Sequence, residues 1–240
     1  MFNWLKSALP NGFFEGACDI HSHLLPGVDD GFQDFEGTMK GLSLMKQLGF
    51  SKVKMTPHFM KDYHENTRES IHAKYADFLE KAGTSVPVEL SLGGEYMLDS
   101  RFMDRFEEGF LTLDGKALVL CETSYMMPDP NYKEMLYQIM LKGFQPVIAH
   151  PERYNYASMA LYKRWKEKEY LLQLNLLSLG GAYGETAKSK AHEMLKAGLY
   201  DFVGSDLHRI NNFESFLQAI RLSTKEKDRL LQMLEHNKTI

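Results

Sequence analysis

The sequence predicts an α/β chain whose strands close into a barrel of the (β/α) kind, with seven strands in place of the usual eight. Three observations lead there. From residue 17 onward, short apolar runs of strand length alternate seven times with longer segments of helical period, the pattern of a parallel sheet with crossover helices. No low-complexity stretch, composition shift or long linker interrupts this alternation, so the economical division is an arm over residues 1–16 and one barrel domain over 17–240. Finally, the last or nearly last residue of the seven runs is in turn His21, His58, Glu95, Glu122, His150, Asn175 and Asp206. An open doubly wound sheet would give the same alternation, but a barrel delivers every C-terminal strand end to one mouth, where active sites of that fold lie.

The strands are expected at 17–22, 52–58, 88–95, 117–123, 145–150, 171–177 and 201–206, and the helices at 34–48, 66–83, 100–109, 131–143, 158–169, 185–197 and 213–236. In the first helix Met39, Leu42, Met45 and Leu48 recur at threes, and Gly49 stands where a C-terminal cap belongs. Ser223-Thr224 divides the last helix and is able to cap a second piece. The charged runs 163–169 and 225–229 read as solvated helix faces. Gly180-Gly181-Ala182-Tyr183-Gly184 is a glycine-rich loop that spells no dinucleotide fingerprint. His150 precedes Pro151, in a segment expected to stay extended.

Composition narrows the function. With 44% hydrophobic and 25% charged residues the chain has the make-up of a globular domain with a sizeable core. A net charge of -4 and a pI near 6.1 give no electrostatic footprint for nucleic acid. Two cysteines, Cys18 and Cys121, are too few for a disulfide framework and fit a reducing cytosol, so a cytoplasmic location is expected. No apolar run is long enough to span a membrane, and the arm lacks the uninterrupted apolar centre of a secretion signal. Its Phe2, Trp4, Leu5, Leu9, Phe13 and Phe14 are expected to pack on the domain or on a partner.

The chemistry begins at Cys18-Asp19-Ile20-His21-Ser22-His23. Two histidines one residue apart on an extended segment point the same way, so one ion takes both, and the turn residues Pro26, Gly27 and Gly31 bring Asp30 back toward them. With the strand ends and His208 the candidate ligands are His21, His23, Asp30, His58, Glu95, Glu122, His150, Asp206 and His208. Taken singly, each has an ordinary reading as a turn or solvated strand-end residue. Five imidazoles and four carboxylates in phase with an independently inferred strand pattern do not. They exceed what one ion uses, so two or three divalent ions with bridging carboxylates are expected, of the Mn, Fe, Zn, Co or Ni type rather than calcium. Such a cluster suits phosphoester hydrolysis. Arg153, just beyond His150, is the expected phosphate fork; Arg209 is a second candidate and Arg68 a weaker one. There is no Cys-x5-Arg loop, no Walker loop and no Gly-x-Ser-x-Gly elbow. His64 and Tyr63 are candidates to line the mouth; His72, His192 and His236 are given no role.

Asp19-Ile20-His21-Ser22-His23, Gly27-Val28-Asp29-Asp30-Gly31, Thr56-Pro57-His58, Gly94-Glu95, His150-Pro151-Glu152-Arg153-Tyr154 and Ser205-Asp206-Leu207-His208 together resemble the signature of the polymerase-and-histidinol-phosphatase (PHP) superfamily. More narrowly they resemble its bacterial protein tyrosine phosphatases of capsule and exopolysaccharide clusters. The resemblance implies a distorted (β/α)7 TIM-like barrel, the PHP fold, with a trinuclear, usually manganese-dependent site; iron, zinc, cobalt, nickel and magnesium are the alternatives. It implies removal of phosphate from tyrosines on the cytoplasmic tail of a membrane tyrosine autokinase that controls polysaccharide synthesis. By position, His21, His23, Glu95 and Asp206 would hold one ion, Glu95, Glu122 and His150 a second, and Asp30, His58 and His208 the third. Arg153, His150 and Asp206 are then the expected catalytic residues, with a metal-bound hydroxide attacking phosphorus and Arg153 and Arg209 contacting substrate. Two departures stand out: some sixteen extra residues precede the first motif, and Arg209 occupies a position where many relatives carry Asn. Hydrolysis of a small phosphoester such as histidinol phosphate, and a non-catalytic metal-binding regulator, are the alternatives; a homo-oligomer is compatible with either.

Overall fold

A computed structural model describes residues 9, 10 and 12–240. Among the described residues, nine short strands appear where seven were expected: β1 (Cys18–Asp19), β2 (Lys52–Met55), β3 (His58–Phe59), β4 (Glu89–Leu92), β5 (Glu95–Met97), β6 (Leu118–Glu122), β7 (Gln145–Ala149), β8 (Leu171–Asn175) and β9 (Phe202–Gly204). The surplus comes from two expected strands that each break in the middle. Thr56-Pro57 separates β2 from β3, because Pro57 has no N–H to give a ladder, and Gly93-Gly94 separates β4 from β5. The strands therefore sort into two sheets, β1-β2-β4 and β3-β5-β6-β7-β8-β9, with every pairing parallel. Gly93 N to Met55 O (2.9 Å) and Glu95 N to Pro57 O (3.0 Å) carry the pairing across the break.

The far end of the ring also meets itself. Ser22 and Leu207 form a parallel bridge, Asp206 N donates to His21 O (2.8 Å) and His23 N to Leu207 O (3.1 Å), so the exit of the last strand lies against the exit of the first. This is a distorted seven-unit (β/α) barrel, torn where β2 and β4 change sheet. Cys18, Ile20, Leu120, Val147, Ala149 and Phe202 touch one another although they come from strands that are mostly not neighbours, and they fill the interior beneath the mouth.

The helices of the described residues cover the outside: α1 (Phe35–Leu48), α2 (Arg68–Ala82), α3 (Phe102–Glu108), α4 (Tyr132–Leu141), α5 (Met159–Glu167), α6 (Gly184–Ala197), α7 (Phe213–Ala219) and α8 (Thr224–Asn237). All lie within a few residues of their expected spans. The Asp34 carboxylate accepts from Gly37 N at the start of α1, and Gly49 ends it at φ 107, a conformation that suits glycine. The last expected helix is two, and Ser223 opens the second in a reciprocal capping box with Glu226. Gly180 ends a buried 3-10 turn (Leu176–Gly180) in which a Cβ would lie 2.0 Å from Phe216 O. Phe13 and Phe14 of the arm are buried, and Phe14 stacks on Phe50 with centroids 5.0 Å apart. Phe2, Trp4 and Leu5 lie outside the described residues.

Candidate metal centre

All nine candidate ligands arrive at one place. His21, His23 and Glu95 have no exposed surface, Glu122, His150 and Asp206 are buried, His58 is nearly so, and His208 is half-buried; the Asp30 side chain is 53% exposed and forms the solvent edge. His21 Nε2 lies 3.2 Å from His23 Nε2, and both face Glu95 Oε2 (3.3 Å each) and Asp206 Oδ1 (3.4 Å each). His150 Nε2 is 3.0 Å from Glu95 Oε1 and 3.7 Å from Glu122 Oε2. His58 stands between two groups, with Nδ1 3.1 Å from Glu95 Oε2 and 3.2 Å from Glu122 Oε1, and Nε2 3.4 Å from Asp30 Oδ1. His208 Nε2 reaches the same Asp30 oxygen at 3.4 Å.

The supporting contacts decide which nitrogens carry protons. His21 Nδ1 donates to Gln173 Oε1 (2.8 Å), an orientation fixed because the Gln173 amide nitrogen donates to Leu174 O. His23 Nδ1 donates to Asp29 Oδ2 (2.8 Å), and His208 Nδ1 to Asp206 O (2.9 Å). In the neutral imidazole, the form that binds a metal, each Nε2 is then a lone pair aimed at carboxylate oxygens that also offer only lone pairs. Atoms of this kind 3 Å apart repel unless a cation lies between them. Among the described residues, seven buried side-chain N and O atoms have no hydrogen-bond partner, and six are here: His58 Nδ1, Glu95 Oε2, both Glu122 oxygens, His150 Nδ1 and Asp206 Oδ1. A native interior leaves few such atoms, so the residues present fit divalent ions.

The electrostatics say the same. Burial presses the histidines toward neutrality, yet the carboxylates outweigh it: His21 stands above its ordinary pKa, His23 and His58 well above, and His208 is pushed up to about 9. Burial would raise Glu95 and Asp206, but the charges of His21 and His208 hold both well below the usual carboxylate range.

The backbone departs from expectation at two ligands. His150, expected to be extended before Pro151, has φ 33 and ψ 51, and Asp206 has φ 51. The reason at His150 is the 3-10 turn Pro151–Arg153, which starts at once and requires His150 O to accept from Arg153 N (3.0 Å). Left-handed geometry at a non-glycine residue costs about 1–3 kcal/mol, and here it aims an imidazole into the cup while turning Arg153 back over it. Gly204 makes room for the first motif, since a Cβ there would lie 2.6 Å from His21 Cβ.

Arg153 Nη1 donates to Asp206 Oδ2 (2.7 Å), and its guanidinium lies between the rings of Tyr125 (4.3 Å) and Tyr183 (4.0 Å). Asn175 Nδ2 donates to the same Asp206 oxygen (2.8 Å) and to Tyr183 Oη (3.0 Å). A cavity of about 370 Å³ opens beside them, with Arg153, His208, Asp30 and the exposed Arg209 along its polar side and Leu177, Phe213 and Phe216 along its apolar side. Tyr63 stacks on His58, whereas His64 lines a neighbouring hollow with Asn66 and Lys74. Arg68 is not brought to the site: it opens α2 beside Glu108 and His72. Sequence reasoning passed over Asp29, Gln173, Tyr125 and Tyr183 and gave Asn175 no part. Only Asp29 carried a signal, as the neighbour of Asp30.

Comparison with known proteins gives the chain a family. The family model for capsular polysaccharide synthesis, CpsB/CapC, matches residues 17–231. The tyrosine-protein phosphatase YwqE of Bacillus subtilis is 30% identical over 216 residues, covering 87% of this chain and 84% of the relative. The tyrosine-protein phosphatase CpsB of Streptococcus agalactiae is 24% identical, covering 91% and 95%. Among solved structures, a chain from the work on YwqE of Bacillus subtilis and CpsB of Streptococcus pneumoniae, described as metal-dependent tyrosine phosphatases, aligns with a TM-score of 0.77 at 24% identity, covering 92% of this chain and 94% of that one. An adenine deaminase of Arthrobacter aurescens shares the fold at a TM-score of 0.53 and 12% identity, covering 92% and 93%. With nearly its whole length after the arm matched, the chain belongs to the CpsB/CapC family of capsular polysaccharide synthesis.

Proposed function

We propose that this protein is a metal-dependent phosphotyrosine-protein phosphatase, acting in the cytoplasm on a tyrosine autokinase that governs polysaccharide synthesis. The observation that carries the reading is the set of five unpartnered atoms, His58 Nδ1, Glu95 Oε2, both Glu122 oxygens and Asp206 Oδ1, gathered among the imidazoles beside an arginine clamped between two tyrosines. The names of the relatives support it. His21, His23, Glu95 and Asp206 would hold one ion, Glu95, Glu122 and His150 a second, and Asp30, His58 and His208 a third, with manganese the expected metal. Bound there, divalent ions supply a water of lowered pKa and neutralise charge on phosphoryl oxygens.

The chain's own residues do the rest. Arg153 presents its fork to the phosphoryl group while Tyr125 and Tyr183 keep it in plane, so that its contacts pass from Asp206 to the substrate without a search through rotamers. Asn175 holds Asp206 Oδ2 through that exchange, leaving Oδ1 toward the histidines. Arg209, at the rim, adds positive charge along the approach. His150 and Asp206 act as ligands at strained positions, held in place by the fold. Tyrosyl oxygen leaves with a pKa of about 10, so no separate general acid is required. The test is phosphate release from a phosphotyrosine peptide by chelated protein, restored metal by metal and compared with histidinol phosphate at equal concentration. Release that needs a divalent ion and favours the peptide is expected; no release with any ion, or preference for histidinol phosphate, overturns the reading.

A further inference from the structure

The loop between β6 and α4 is unlike the rest of the surface. Met126 and Met127 are 73% and 75% exposed, the highest values of any large apolar side chains among the described residues. They follow Tyr125, whose ring lies on Arg153 and lines the cavity. The loop is fastened where it stands: Asn155 N donates to Tyr125 O (2.8 Å) and Asn155 Nδ2 to Met126 Sδ (3.1 Å), both from the segment that follows the Arg153 turn. Pro128 and Pro130 stiffen what comes next. Two adjacent methionines kept in water at the mouth, on a loop fastened by Asn155, are a cost to the free protein that a ligand would recover.

Resting on the phosphatase reading, we propose that Met126 and Met127 form the rim on which the polypeptide substrate lays an apolar side chain adjacent to its phosphotyrosine. The occupant follows from continuity with the cavity: a tyrosyl phosphate held at Arg153 leaves its own backbone at the rim, and Tyr125 belongs to both surfaces. Its polarity follows from charge. From Thr123 to Tyr132 there is no Lys or Arg and one acid, Asp129, so this side offers nothing to an acidic neighbour. The exposed cation of the mouth, Arg209, lies beyond β9, three strands further round the ring.

The test compares two short phosphotyrosine peptides that differ only in carrying Leu or Ser beside the phosphotyrosine, on wild type and on the Met126→Gln/Met127→Gln double variant. p-Nitrophenyl phosphate, which has no flanks, reports on the catalytic pocket by itself. In the wild type kcat/KM for the Leu peptide is expected to exceed that for the Ser peptide by about tenfold, through KM, as burial of one aliphatic side chain supplies. In the double variant the ratio falls to about one. Equal rates for the two peptides in the wild type, or a preference that survives the double substitution, overturns the rim while p-nitrophenyl phosphate turnover leaves the phosphatase reading standing. Absence of p-nitrophenyl phosphate turnover in metal-loaded wild type overturns both.

Discussion

At the scale of single residues, the site is a problem of repulsion. Glu95 and Asp206 are wholly buried carboxylates, and each keeps one oxygen free of hydrogen bonds while pointing it at imidazole nitrogens. Among the described residues, Arg153 is the one guanidinium that pairs with either, through Asp206 Oδ2. Arg153→Ala is expected to lower kcat/KM on a phosphotyrosine peptide by at least about a hundredfold, with circular dichroism unchanged, because a bidentate donor to the phosphoryl group is lost. Arg153→Lys is expected to restore little of it, since a point charge neither forks nor stacks between Tyr125 and Tyr183. Asn175 acts one step back: Asn175→Ala removes a bond to Asp206 Oδ2 and is expected to weaken metal affinity by about 10–100-fold, read by titration of the apoprotein. Unchanged affinity would show that Arg153 alone fixes that carboxylate.

At the scale of elements, caps and breaks position the ligands. The box that opens α8 has Ser223 N donating to Glu226 Oε2 (2.8 Å), and His192 Nδ1 lies 2.6 Å from Glu226 Oε1. Burial would raise Glu226, but the bonds from Ser223 and His192 prevail and its pKa falls below the ordinary 4.5. A carboxyl lowered in the folded state stabilises above its unfolded pKa and loses that contribution as pH falls through its folded one. The stability advantage of wild type over Glu226→Gln is therefore expected to shrink as pH falls below the ordinary carboxyl value of 4.5. Ser223→Ala is expected to cost about 1 kcal/mol in denaturant unfolding.

The helices were legible because period, caps and breakers are local: Gly49, Ser223 and the spacing of Leu42, Met45 and Leu48 each act within a turn of the chain. The tear in the sheet was not. Residues 52–58 and 88–95 look like single runs because the sheet change at Thr56-Pro57 and Gly93-Gly94 alters partners, which are remote, and leaves the direction of travel alone. Six of the nine candidate ligands could be picked out because strand ends repeat, and His23, Asp30 and His208 because they follow the first and last of those ends closely in sequence. Gln173 and Asn175 could not, since their meaning lies in contacts with His21, 152 residues away, and Asp206, 31 away. The left-handed turn at His150 contradicts the local rule for a residue before proline, because a 3-10 turn starts at Pro151 and turns the chain back over the site.

At the scale of the molecule, the barrel is a frame that keeps like-charged and lone-pair groups together against their own repulsion, and ions would relieve it. Divalent metal is expected to raise Tm with rising concentration and excess chelator to lower it, as for any ligand bound by the folded state alone. Substituting His58 is expected to blunt that response, because its two nitrogens face three carboxylates, Asp30 on one side and Glu95 and Glu122 on the other.

The most direct measurement is stoichiometric. Apoprotein titrated with Mn2+ and assayed at each step for phosphate release from a phosphotyrosine peptide is expected to be inactive at the start and to reach its plateau at two or three ions per chain. Full release in excess chelator, or a plateau of zero at every loading, would contradict the account.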